Sequence, residues 1–71
     1  MAYGIRVFRN ELGLSWRQAR RAAKLFNTAP AKWPPELAQR VRQRSPSGAI
    51  TAYPNDLAAL IAEFVKSTQP E

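Results

Sequence analysis

Three prolines in six positions, Pro30, Pro34 and Pro35 of the stretch NTAPAKWPP, constrain this 71-residue chain more than any other feature. Each lacks a backbone donor and clashes with the turn before it, so no long regular helix runs through them. Pro34 also drives Trp33 towards an extended backbone. A single turn from Thr28 to Lys32 is compatible with the sequence, because Pro30 is tolerated in a first turn. Trp33 then reads as a plug for the core. The chain must fold as short pieces on either side of this break.

Apolar spacing locates those pieces. Ile5, Phe8 and Leu12 predict a first helix from Ala2 to Leu12, stopped by Gly13, which adopts the left-handed conformation without penalty. Ser15 and Gln18 form a capping-box pattern, and a second helix extends to Phe26. Its inward side carries Trp16, Ala19, Ala23 and Phe26, and core packing is the favoured role for both tryptophans over stacking on bases. Pro35 suits the start of a third helix to Arg44, with Leu37, Ala38 and Val41 inward and Glu36 paired to Arg40. Leu57, Leu60, Ile61, Phe64 and Val65 give the last helix a full apolar face, capped by Asn55 or Asp56, with Lys66 at its far end.

Residues 39–53 admit two readings. Arg40, Arg42 and Arg44 alternate with Val41 and Gln43 as a strand would, and Ser45-Pro46-Ser47-Gly48 followed by Ile50–Tyr53 completes a hairpin. The helix is favoured, because Glu36 to Arg40 are good helix formers. The expected fold class is all-α: a compact bundle of four to five short helices containing a degenerate helix-turn-helix. A small β-hairpin wing remains open. Residues 1–66 form one domain, and 67–71 a frayed tail.

With neither cysteine nor histidine, the chain has no disulfide, no usual zinc site and no general base or thiol nucleophile of the common kinds. The five carboxylates are scattered and the three glycines stand far apart, so no enzyme, metal site or cofactor is expected. No apolar run approaches the ~20 residues of a membrane span. A cytoplasmic, nucleoid-associated protein is the expectation. A core this small is marginal alone, which favours a homodimer.

Charge is divided along the chain. Residues 1–44 hold ten basic and two acidic side chains, a net of +8, whereas residues 45–71 net −2. Arg17, Arg20, Arg21 and Lys24 recur at i, i+3, i+4 and i+7, one cationic stripe on a helix. A solubilising surface would intersperse both signs, so the excess points to a polyanion, foremost double-stranded DNA. Arginine outnumbers lysine eight to three, which suits bidentate contacts to phosphate and guanine. The expected DNA-binding set is Arg17, Gln18, Arg20, Arg21, Lys24, Lys32, Arg40, Arg42 and Arg44, with Arg17, Gln18 and Arg21 nearest to base contacts. A protein partner from a host or mobile element is the rival, since a basic chain with an amphipathic final helix also suits docking.

Two resemblances carry this further. IRVFRNELGLSWRQARRAA, residues 5–23, resembles small helix-turn-helix regulators of the phage repressor and Cro type. That likeness places Ala23 as the small residue of the first motif helix, Asn27 in its turn and Trp33 at a later core position. Pro30, Pro34 and Pro35 then truncate the recognition helix. RVRQRSPSGAITAYPNDLAALIAEF looks like the wing and closing helix of small winged-helix proteins, including excisionases. It implies a strand of Arg40, Arg42 and Arg44 on phosphates, with residues 45–48 as the wing tip. Both imply a DNA-binding protein of phages or mobile elements, a transcriptional regulator or a recombination directionality factor.

Overall fold

A computed structural model describes residues 3–69. They form four α-helices: α1 (Ile5–Asn10), α2 (Trp16–Phe26), α3 (Pro35–Arg44) and α4 (Pro54–Thr68). Two 3-10 turns, Pro30–Lys32 and Ala49–Ala52, fill the longer connections. The all-α expectation is met, and no strand occurs among the described residues. The alternative hairpin is not formed. Val41 and Leu37 face the core on one side of α3, and Gly48 turns the chain at φ +79°. The Ser45 hydroxyl accepts the Ile50 N–H at 3.1 Å, closing a compact helical turn where the wing was an option.

Helix boundaries follow local chemistry. α1 is shorter than the spacing predicts at both ends, beginning at Ile5 after an extended Gly4 and closing at Asn10, and Ala2 lies outside the described residues. Its closing Glu11 N–H donates to Val7, Gly13 sits at φ +70°, and the Leu14 N–H reaches back to the Phe8 carbonyl at 3.0 Å. α2 begins in the expected capping box: Ser15 Oγ accepts the Gln18 N–H at 3.2 Å, and Gln18 Oε1 accepts the Ser15 N–H at 3.0 Å. At its other end Asn27 is not left-handed (φ −92°); its side-chain amide instead donates to the Ala23 carbonyl at 2.8 Å. The proline break narrows to one 3-10 turn with Pro30 at its head.

Two boundary expectations need correction at α4. Its cap is Tyr53, not Asn55 or Asp56, because Pro54 pre-sets the backbone of the first helical position. Of the expected tail, Ser67 and Thr68 continue α4 and Gln69 closes it, while residues 70–71 lie outside the described residues. The Ser67 and Thr68 hydroxyls both donate to the Phe64 carbonyl, and the Gln69 carbonyl accepts Gln18 Nε2 at 2.9 Å.

The core is built around α4, which buries Leu57, Leu60, Ile61, Phe64 and Val65 as its spacing predicts. It packs against α2, α3 and the second 3-10 turn, while α1 packs on α2. The buried face of α2 is made of Ala19, Ala22, Ala23 and Leu25, and such small side chains let its backbone approach its neighbours closely. Trp33 is the expected plug: it is buried, and its indole N–H donates to the Leu25 carbonyl at 3.0 Å. Tyr3, Phe8 and Phe26 form an aromatic cluster, with Tyr3 and Phe26 centroids 4.7 Å apart.

Candidate nucleic-acid interface

Five residues of α2 face solvent: Trp16, Arg17, Arg20, Arg21 and Lys24. At 100° per residue the four cations occupy an arc of about 100°, and apart from Trp16 at its edge the remaining arc is buried or partly buried. From Arg17 to Lys24 the axis advances about 10 Å, close to the rise of ~3 base pairs. No carboxylate of the described residues lies within ion-pair distance of these four side chains. The face is therefore a continuous positive surface with no internal counter-charge.

Trp16 is a correction. It is not core; 53% of its surface is exposed. As the first residue of α2 it stands where the helical wheel passes from Ala23 to Arg20, and the core side of that boundary is already filled by alanines. The Arg9 guanidinium of α1 lies over its ring, 5.5 Å from the centroid. Arg6 is exposed on the same short helix.

The other expected contact residues separate into distinct groups. Gln18 is buried, with its oxygen committed to the Ser15 cap and its nitrogen to Gln69, so it has no surface to offer a base. Arg40 pairs with Glu36 at 3.3 Å, donates to Ser67 Oγ and covers the Phe64 ring. Arg44 pairs with Glu63 at 3.5 Å. Arg40 is thus engaged by residues of both α3 and α4, whereas Arg44 remains exposed beside Glu63. Lys32 is exposed on the first 3-10 turn and Arg42 on α3, beside exposed Gln39 and Gln43. The structure thus brings together Arg17, Arg20, Arg21 and Lys24, and sets the α3 arginines apart from them chemically.

Arg9 and Trp16 are what sequence reasoning missed. The capping box does fix Trp16 as the first helical residue, but the Arg9 contact exists only because α1 folds back on α2.

A tight helix-turn-helix is not what the chain shows. Residues 27–34 connect α2 to α3, against the three or four residues of that motif's turn, and α3 packs on α4. No helix among the described residues is long and apolar enough to cross a membrane. No family model matches the chain, and no curated protein or solved structure is detectably similar to it.

Proposed function

We propose that this chain binds double-stranded DNA through the outer face of α2, with Arg17, Arg20, Arg21 and Lys24 neutralising phosphates. One observation carries the reading: apart from Trp16, every exposed residue of α2 is a cation, and none of the four has a carboxylate partner among the described residues. Lys32 and Arg42 are secondary contacts. Arg40 and Arg44, which already pair with Glu36 and Glu63, are the weaker contacts. Phosphate contacts position a protein without reading sequence, so specificity must come from elsewhere on the surface. The role attached to this binding is regulation of transcription, on the resemblance of residues 5–23 to phage-type regulators. The excisionase alternative loses the strand on which its wing depended.

The test is a fluorescence-anisotropy titration of duplex DNA at low salt. Affinity should appear at low ionic strength and fall steeply as salt rises. Failure to bind any duplex at low salt refutes the proposal. The rival, a protein partner, draws on an open groove of about 450 Å³ lined by Ile50, Tyr53, Asp56 and Ala59, where Tyr53 is 61% exposed. A stoichiometric partner surviving nuclease treatment in a pull-down would favour it.

A further inference from the structure

Trp16 is the one exposed residue of α2 that phosphate binding leaves without a task. Trp16 and Tyr53 are the exposed large hydrophobic side chains among the described residues, and only Trp16 adjoins the cationic face. Trp16 supports neither the core nor the helix cap, which Ser15 and Gln18 complete between them. Its ring is nevertheless held: the Arg9 guanidinium lies 5.5 Å from the centroid, while more than half of the residue faces solvent. A cation over part of an indole favours one orientation of the ring and leaves the rest as a flat π-surface. On helical spacing that surface borders Arg20, four residues on, so it meets the cationic face edge to edge.

Bases within an intact duplex are stacked on one another and show a protein only their edges. An indole contributes most when a base has left the stack, and one base–aromatic pair then adds substantial affinity. A membrane-surface role fits less well, because an interfacial helix needs an apolar face to insert and that of α2 is buried in the core. Resting on the nucleic-acid reading of α2, we infer that Trp16 is a stacking platform for an unpaired base. The ligand class is then DNA with a local distortion (a bulge, gap or fork), held by its phosphates on Arg17, Arg20, Arg21 and Lys24.

The experiment compares a labelled duplex with the same duplex carrying a single unpaired nucleotide. The wild-type chain should bind the bulged form about 5- to 150-fold more tightly, the value of one stack. Trp16→Ala should lose that preference while keeping its affinity for intact duplex and the salt slope; Trp16→Phe should keep part of it. Intrinsic fluorescence gives a second readout. Trp33 is buried with its N–H bonded to Leu25, so quenching by the bulged duplex should come from Trp16 and vanish in Trp16→Phe. Circular dichroism checks that the variants fold. Equal affinity for both duplexes, or a preference that survives Trp16→Ala, overturns the inference and leaves the DNA reading intact. Absence of binding to either duplex overturns both, whereas Trp16 quenching by anionic vesicles without any by DNA overturns the stacking inference alone.

Discussion

Replacing Arg17, Arg20 and Arg21 together by alanine should flatten the salt dependence of DNA binding rather than merely weaken it. The four cations of α2, with Lys32 and Arg42 as secondary contacts, suggest about four to six neutralised phosphates, and hence a slope of log affinity against log salt of about −3.6 to −5.4. Between about 50 and 200 mM salt the wild-type affinity then falls by roughly 150-fold to 2,000-fold. Three fewer contacts reduce the slope by about 2.7, and the same salt step should cost the variant only about 4- to 40-fold. Stability should not fall, and should rise by about 0.8–2 kcal/mol as the four like-charge pairs of α2 are removed. The three side chains are exposed, have no ion-pair partner among the described residues, and alanine is at least as good a helix former as arginine. The assay is anisotropy at a series of salt concentrations, with thermal melts alongside. Arg40→Gln with Arg44→Gln is the matched control, removing charge already paired to Glu36 and Glu63, and its slope should shift by less than about one contact. An unchanged slope in the triple variant, or an equal loss in the control, would refute the claim that α2 carries the phosphate contacts.

Gln18→Ala should cost about 1–2 kcal/mol of stability, through half of the capping box and the link to Gln69, while leaving the salt slope of DNA binding unchanged. Trp33→Ala should cost about 3–5 kcal/mol, enough to unfold much of so small a domain in a urea titration, whereas Trp33→Phe isolates the smaller loss of the bond to Leu25. The melting temperature of the free protein should rise by roughly 5 °C as salt screens the like charges of α2, the opposite direction to its effect on binding.

Elements whose stability is local were legible in the sequence. The Ser15–Gln18 box, the proline break and the heptad-like face of α4 each depend on neighbours within a turn or two, and all three stand close to where spacing puts them. Residues 39–53 were ambiguous because alternation of Arg40, Arg42 and Arg44 satisfies a period of two, while burial of Leu37 and Val41 satisfies a helical one. Tertiary packing of α3 on α4 decides between them. The Arg40–Glu36 pair is the i,i+4 contact that the sequence predicts, whereas the packing of α3 on α4 pairs Arg44 with Glu63 across 19 residues of sequence, which no charge count distinguishes from a free cation. Gln18 was misplaced for a related reason. A capping box says which backbone groups a glutamine serves, not that the other end of its amide will be closed by the last turn of α4.

What α2 does to its own stability bears on its purpose. Arg17 with Arg20 and Arg21, and Lys24 with Arg20 and Arg21, make four like-charge pairs at i,i+3 or i,i+4, each opposing the helix by about 0.2–0.5 kcal/mol. The first turn carries no acid and places Arg17 where the helix dipole disfavours a cation. A surface shaped by stability alone would alternate glutamate with arginine here, as Glu36 and Arg40 do on α3. The capping box, the small-residue packing against α4 and the Gln18–Gln69 link hold α2 together despite that repulsion. A polyanion laid along the face adds an attraction for each of these cations that offsets the repulsive terms at once. Binding and folding then reinforce each other, so the helix least favoured by its own charges in the free protein gains most from a phosphate backbone.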